Sequence, residues 1–185
     1  YQDLGNTGTA ARSLFYQTPT YIGVTPGFNA FDLYWNAEAI RDYDTKSSYT
    51  NMRVIIGGGG RNVTRVTFSR NINPRWNIGF NFRSILVDKA LRQRKGDRNV
   101  KSVYYDAYTS YKSKDSTYRL FLNFRRQQYG ADENGGINVA AGAPISDYFA
   151  ANARYNLTNA ESNERRINLH LYHQYNLFRK GIQLY

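Results

Sequence analysis

The chain has 185 residues, with 25 Lys and Arg against 14 Asp and Glu, a formal net charge of +11, and no cysteine. This length is enough for one domain with a core, and the lack of cysteine excludes a disulfide framework, a zinc–cysteine site and thiol chemistry. The positive charge suits nucleic acid, anionic lipid headgroups or a passage that favours anions. The basic residues are scattered, without a run of five like charges, so we expect no nucleic-acid partner.

Aromatic residues are unusually frequent, with 17 Tyr and 10 Phe beside 2 Trp. Tyrosine suits a surface that is apolar at one depth and wet at another, as in the aromatic girdles of membrane barrels. No stretch approaches the roughly 20 apolar residues of a membrane helix. Because transmembrane strands alternate between apolar and polar residues, a polar average remains compatible with a membrane β-barrel.

Residues 1–48 show no regular hydrophobic period, because their aromatic residues are interspersed with glycines and with Pro19 and Pro26. We predict an irregular segment that packs against or inside a barrel, with one short strand around Thr20–Val24. The chain begins at Tyr1 without a methionine or a signal peptide, so we also expect a processed product or a piece of a longer protein.

Residues 49–185 contain segments in which apolar and polar residues alternate with a period of two, which predicts strands with one apolar face. The pattern is clearest in Trp76–Leu86. It is weakest in Tyr49–Ile56, where Val54, Ile55 and Ile56 put apolar groups on both faces. The predicted strands are Tyr49–Ile56, Asn62–Ile72, Trp76–Leu86, Val103–Tyr111, Thr117–Gln128 and Arg166–Leu177.

Most of these segments are about 10 to 12 residues long, closer to the ~9–11 of a tilted membrane strand than to the ~5–6 of a soluble one. Their connections alternate in length, as in outer-membrane barrels with short periplasmic turns and long external loops. The short turns are Asn71–Arg75, Lys112–Ser116 and Phe178–Gly181, the long links are Asp88–Val100 and Tyr129–Asn163, and the short Gly57–Arg61 departs from the pattern. We therefore predict an all-β fold, an antiparallel transmembrane β-barrel of about six full strands plus a stub at the chain end.

The link at residues 129–163 is long for a compact domain and suggests a function. Ser146 and Asp147 are suited to cap a short helix that begins at Tyr148. We expect an external loop that folds into the pore or covers its mouth.

Few residues in the sequence suggest catalysis or metal binding. His170 and His173 are an odd number of residues apart, which predicts opposite faces of a strand and no shared metal ion. Asp42 and Asp44 lack the ligand pattern of a calcium loop, and the glycines after Ile56 lack the lysine and hydroxyl residues of a phosphate-binding loop. No nucleophile–base pair or carboxylate pair stands out. We therefore predict no enzyme, no metal site and no cofactor.

Arginine and asparagine recur opposite the apolar side of the predicted strands. A charge facing lipid near mid-membrane costs about 2 to 4 kcal/mol, so in a barrel these side chains must face the water-filled interior. The alternative is the solvent face of a soluble antiparallel sheet. The candidate lumen-lining residues are Arg65, Arg83, Arg119, Asn123, Arg125, Arg166 and Asn168.

Three stretches, Tyr1–Ala11, Gly27–Phe31 and Thr67–Trp76, together resemble the putative-porin family of Bacteroidota outer membranes. The resemblance covers residues 1 to 87 well and the rest loosely, and Ser69–Trp76 is its most specific part. It implies a bacterial outer-membrane location and a longer single-chain barrel, of which this chain supplies an N-terminal or middle portion. It supplies no catalytic residues.

Three functions remain open from the sequence. The first is a porin-like barrel for passive diffusion of small hydrophilic solutes, with a mild preference for anions, in contact with outer-membrane lipid. The second is a structural barrel that is a subunit or assembly client of an outer-membrane complex. The third is a soluble β-sandwich that binds carbohydrate through its aromatic residues.

Overall fold

A computed structural model of the chain describes residues 2–3, 7–15, 30–31, 43–45, 47–58, 60–88, 98–149, 154–176 and 183–184. The long strands are β3 (Tyr49–Gly57), β4 (Arg61–Asn73), β5 (Trp76–Asp88), β6 (Arg98–Lys112), β7 (Tyr118–Glu133) and β10 (Ala160–Asn176). The two-residue strands are β1 (Gln2–Asp3), β2 (Ala11–Arg12), β8 (Ile137–Asn138), β9 (Arg154–Tyr155) and β11 (Gln183–Leu184). A 3-10 helix covers Ile145–Phe149. Within these residues, no helix is long and apolar enough to cross a membrane, a finding that concerns helices alone.

The long strands form one antiparallel sheet in the order β3-β4-β5-β6-β7-β10-β11, in which each long strand pairs with its neighbour in sequence. Two short hairpins, β1–β2 and β8–β9, lie outside it. The predicted fold class is confirmed, with six long strands and the two-residue β11 at one edge. Sequential pairing of this kind is the topology of an up-and-down barrel wall.

Cross-strand pairing sorts the side chains onto two faces, because successive residues of a strand point to opposite sides. We call one side the apolar face and the other the polar face. One row of directly paired residues on the apolar face is Phe68, Phe80, Ala107, Phe124 and Leu169. The adjacent row on the polar face is Thr67, Asn81, Asp106, Arg125 and Asn168.

The apolar stretch moves along the sheet from one edge to the other. On β3 the stretch includes Val54. The residues in the same row on β7 and β10 are the polar Gln128 and Arg165. On β7 the stretch is displaced toward the short turns and begins at Tyr118. A band of constant height crosses strands obliquely when they tilt by the ~35–45° typical of barrels. The drift is therefore what a tilted barrel wall requires.

The strands are longer than the alternation predicted, most clearly where β7 continues to Glu133 and β10 begins at Ala160. Backbone pairing continues here after the apolar residues end, and the Ser162 hydroxyl donates to Glu133 Oε1 at 2.9 Å. The ladder needs only backbone partners, so it can extend beyond the apolar band. The long link shortens accordingly to residues 134–159.

The predicted local features of the links have different outcomes. Ser146 and Asp147 lie inside the 3-10 helix, where a helix beginning at Tyr148 was expected. Pro144 accepts a backbone hydrogen bond from Asp147 at 3.0 Å, which starts that helix earlier. The predicted strand around Thr20–Val24 and the turn at Phe178–Gly181 lie outside the described residues.

The turn between β6 and β7 is organised by Asp115. The Ser113 hydroxyl donates to one carboxylate oxygen at 2.6 Å, and the Thr117 hydroxyl donates to the other at 2.9 Å. These hydrogen bonds, with the Ser113 contact first, lower the pKa of Asp115 to about 2. Ser113 Oγ also accepts from the backbone N–H of Tyr118 at 2.9 Å. Ser116 completes the turn with a φ of 63°.

Replacing Ser116 with glycine should raise the free energy of unfolding by about 0.5 to 1 kcal/mol, because glycine adopts a positive φ without the side-chain clash. Ser113→Gly, in the same turn, should lower it because the hydroxyl bridging Asp115 and Tyr118 is lost. Urea unfolding in detergent micelles would measure both. A loss of stability in Ser116→Gly would contradict the prediction.

At the long-link end, the polar face carries an apolar cluster covered by residues from the start of the chain. Phe31 packs on Tyr129 with ring centroids 4.2 Å apart, and the Tyr129 hydroxyl donates to the carbonyl of Gly8. A Cβ on Gly8, at φ 86°, would lie 2.9 Å from a methyl of Val100, so this close approach favours glycine. The buried cluster comprises Phe31, Ile85, Val87, Val100, Tyr129 and Ala131.

The cluster also explains the ambiguous apolar run on β3. Val54 and Ile56 lie on the apolar face, whereas Ile55 lies in the polar-face row that leads through Val63 to Ile85. Val63 is packed against the buried cluster. Ile55 therefore belongs to a row that leads to the buried cluster, whereas Val54 and Ile56 are exposed on the apolar face.

Candidate functional site

All the candidate lumen-lining residues lie on the polar face of the sheet, distributed over successive rows. Arg65, Arg83 and Arg166 share one row. Arg125 and Asn168 are directly paired in the next row, and Asn123 lies one row further toward the short turns. Arg119 lies close to the short turns, paired with Lys112. That this face lines a lumen stays a prediction.

The centre of the polar face is a network around the buried carboxylate of Asp106, which is 5% exposed. Asn81 Nδ2 donates to Asp106 Oδ1 at 2.9 Å, and the Tyr104 hydroxyl donates to Oδ2 at 2.7 Å. Arg125, 2% exposed, is paired directly across from Asp106, and its Nε donates to Asn123 Oδ1 at 3.0 Å. Buried charges are tolerated when opposite charges and hydrogen bonds accompany them. The network therefore fixes two charged groups at mid-sheet.

A row of cations lies beside this network, on the long-link side. Arg53, Arg65 and Arg83 are direct partners on β3, β4 and β5. The guanidinium of Arg83 lies over the Tyr104 ring, 5.1 Å from its centroid. The row continues through Tyr104 and Gln127 to Arg166 on β10. Like charges paired directly across strands destabilise a sheet. The stability of the sheet therefore does not explain why these arginines are partners.

On the polar face, the Tyr108 ring covers Gly79, its direct partner on β5. A Cβ on Gly79 would lie 2.0 Å from the Tyr108 ring, so the ring occupies the space that a side chain would need. Tyr108 is 4% exposed and stacks on Phe121 with centroids 6.3 Å apart. An aromatic ring covering a cross-strand glycine fixes both the register and the position of the ring.

Near the short turns, the polar face is bonded to the segment that precedes β3. Asn71 Nδ2 donates to Asp44 Oδ1 at 2.7 Å, and the Thr45 N–H donates to Asn71 Oδ1 at 3.3 Å. A cavity of about 400 Å³ opens here. Its lining includes Asp44, Asn71, Lys112, Arg119, Phe121 and Tyr172. Described residues preceding β3 thus touch the polar face at both ends of the sheet.

The charges on the polar face are mostly positive. In the strands that the structure describes, its cations are Arg53, Arg61, Arg65, Arg83, Lys112, Arg119, Arg125 and Arg166. Its carboxylates there are Asp106, Glu133 and Glu164. Glu164 Oε1 pairs with Arg166 Nε at 2.5 Å. The face can therefore attract and orient anions.

The described residues contain no group of three His, Cys, Asp or Glu side chains close enough to hold a metal ion. His170 lies in the polar-face row of Asn123, while His173 pairs with Leu120 on the other face, as their spacing predicted.

Sequence reasoning missed the residues whose role depends on register. Arg53 was absent from the candidate set because the pattern of β3 was ambiguous. Gln127, Asp106 and the Gly79–Tyr108 pair have no distinctive local signal. Only the register between neighbouring strands shows which of these residues lie opposite or beside the arginines.

A family model described as a putative porin matches residues 1–184, which include every strand of the sheet. No curated protein and no solved structure gives a match. The antiparallel sheet, with one apolar and one polar face, agrees with that description. The chain belongs to the putative-porin family.

Proposed function

We propose that this chain forms part of the wall of an outer-membrane porin through which small hydrophilic solutes diffuse passively, with a mild preference for anions. The observation that carries the proposal is the separation of the sheet into a largely apolar face, interrupted in mid-sheet by Arg70 and Arg126, and a polar, arginine-rich face. Arg126 Nη1 donates to the Tyr105 hydroxyl at 3.0 Å. Family membership supports a porin-like role in general. The diffusing solutes and the preference for anions are inferred from the faces.

The apolar face has the properties of a surface in contact with lipid. Met52 and Leu169 are 68% and 69% exposed, and Phe80 and Phe124 in mid-sheet are each more than a third exposed. Exposed apolar patches of this extent indicate contact with a membrane or with another protein. A β-sandwich would bury such a face against a second sheet, whereas the described residues leave it uncovered.

Aromatic residues border the apolar face near the short turns. Trp76, Tyr111, Tyr118 and Tyr175 lie there. The Trp76 indole N–H donates to the Thr109 hydroxyl at 2.8 Å. Tyrosine and tryptophan at such a border match the aromatic girdle at a membrane interface. Such girdles occur at both interfaces, and it is the short turns at this end that support an orientation with this border on the periplasmic side.

The polar face would line the lumen, and its excess of arginine supports the anion preference. A charged wall around a narrow aqueous passage raises the local concentration of counter-ions and lowers that of co-ions. The buried Asp106 offsets part of the positive charge beside Arg125. The preference is therefore expected to be mild.

Residues 1–48 would pack against or inside the lumen and narrow it. Gly8 and Phe31 contact the polar face at one end, and Asp44 contacts it at the other. The link at residues 134–159 would lie outside the cell. A passage narrowed in this way would admit small solutes only.

Planar-bilayer recordings of the full-length protein test this function. We expect discrete conductance steps and, in a potassium chloride gradient, a reversal potential displaced toward chloride. Absence of conductance would remove the pore, and a potential displaced toward potassium would remove the anion preference.

A structural barrel within an outer-membrane complex is the second candidate. The apolar cluster around Phe31 and Tyr129, which covers the polar face at the long-link end, favours it because it occupies space that a solute would need. Stoichiometric copurification of a partner in detergent, together with absent conductance, would support this role.

A further inference from the structure

We propose that the arginine row, defined as Arg53, Arg65, Arg83 and Arg166 with Tyr104 and Gln127 between them, binds compact oxyanions, namely carboxylate and phosphate groups, between the neighbouring guanidinium groups of Arg53, Arg65 and Arg83. The inference deepens the proposed porin function and rests on it, because it names a solute class and the residues that hold it. General positive charge would favour any anion. A site of this kind would favour oxyanions over chloride.

Register brings three cations of the row together, on neighbouring strands. Direct cross-strand partners have Cβ atoms about 4.5 to 5.5 Å apart. Arg53 and Arg65 are such partners, and so are Arg65 and Arg83. An oxyanion between two neighbouring guanidinium groups accepts hydrogen bonds from both, in the paired geometry that arginine offers to carboxylate and phosphate.

Within the described residues, the carboxylates near the row form no ion pair with Arg53 or Arg65. Asp106, in the adjacent row, accepts from Tyr104 and Asn81. Glu164 is engaged by Arg166, at the far end. Within the described part of the chain, Arg53 and Arg65 form no ion pair and are exposed on the polar face. A mobile anion is therefore the natural counter-charge for them.

Gln127 lies further along the same row, near Arg166. It is 2% exposed, and neither its amide nitrogen nor its amide oxygen has a hydrogen-bond partner among the described residues. A buried amide without partners costs free energy, and such groups call for a ligand or another explanation. Gln127 lies two strands, about 10 Å, beyond Arg83. Its amide is therefore an uncharged donor at the Arg166 end of the row and does not contact an oxyanion held between Arg53 and Arg65.

Planar-bilayer recordings of the full-length protein in potassium chloride, with inorganic phosphate or succinate added on one side, test the site. We expect each oxyanion to block the chloride current in a saturable way. Arg65→Gln should raise the half-blocking concentration about fivefold, the effect of losing one partly exposed charge-assisted hydrogen-bonding group. Arg65→Lys keeps the charge and loses the planar fork, so it should weaken the block while leaving the reversal potential unchanged.

Arg119→Gln is the matched control, because it removes the same charge from the same face outside the row. It should shift the reversal potential as Arg65→Gln does but leave the half-blocking concentration of phosphate unaltered. In a conducting parent protein, equal weakening of the block by both variants, or no block by either oxyanion, would overturn the site and leave a porin with a diffuse positive field.

Thermal unfolding in detergent separates the site from the pore. Phosphate should raise the unfolding temperature of the parent protein but not that of Arg65→Gln. Without phosphate, Arg65→Gln should unfold at a higher temperature than the parent, since two like-charge contacts are relieved. If phosphate raises the unfolding temperature but no conductance is recorded, the oxyanion site stands and the pore function is wrong. If the protein conducts, but phosphate neither blocks the current nor raises the unfolding temperature, the pore function stands and the oxyanion site is wrong.

Discussion

Replacing Leu169 with arginine should destabilise the protein in a bilayer by about 2 to 4 kcal/mol, the cost of an arginine on the lipid face near mid-membrane. The same replacement at the adjacent Asn168 should cost far less. Both side chains are exposed, and they point to opposite faces of β10. Leu169 lies in the row of Phe80 and Phe124, in the middle of the apolar stretch.

The two variants differ only in the face on which the arginine is introduced, because both positions are exposed and lie on the same strand. Asn168 is the direct partner of Arg125, so its variant adds a positive charge beside an existing one and carries a small repulsive cost. If the polar face is aqueous, water screens most of that cost.

Folding of the full-length protein into phospholipid vesicles across a urea series would measure both variants. The gel mobility of unheated samples reports the folded fraction. Equal losses in the two variants would contradict lipid contact on the apolar face. Equal tolerance would indicate that both faces are wet, as in a soluble sheet.

The second large effect is expected at Gly79, where alanine should lower the free energy of unfolding by about 1 to 3 kcal/mol. The added Cβ would meet the Tyr108 ring at 2.0 Å. That ring is buried and stacked on Phe121, so moving it costs packing. Gly58→Ala is the control, because a Cβ there meets nothing within 4 Å.

A double-mutant cycle with Tyr108→Ala identifies the cause. Tyr108→Ala alone should destabilise by about 3 kcal/mol, as for a large buried aromatic ring. With the ring removed, Gly79→Ala should have little effect. The coupling energy between the two sites should therefore equal most of the cost of Gly79→Ala. Strict additivity would show that the loss comes from backbone conformation at Gly79 instead.

The sequence by itself determined the strands, their order along the chain and the two faces. The alternation in Trp76–Leu86 was enough to assign its side chains to two faces, because successive residues of a strand point to opposite sides. The candidate arginines were assigned to one face for the same reason, and the structure places them together there. The chain start was beyond this reasoning, because Phe31 and Gly8 contact residues far away in sequence without any local period.

Only the tertiary structure decided which residues meet across strands. Arg53 joins Arg65 and Arg83, and Gln127 joins Arg166, through backbone ladders whose register is set by turns and links. A shift of the pairing register by one residue would move every side chain of a strand to the other face. A shift by two residues would keep the faces, but the arginines would no longer be direct partners. Alternation cannot distinguish registers that differ by two residues, so composition predicted a positive face while strand pairing arranged its charges into a row.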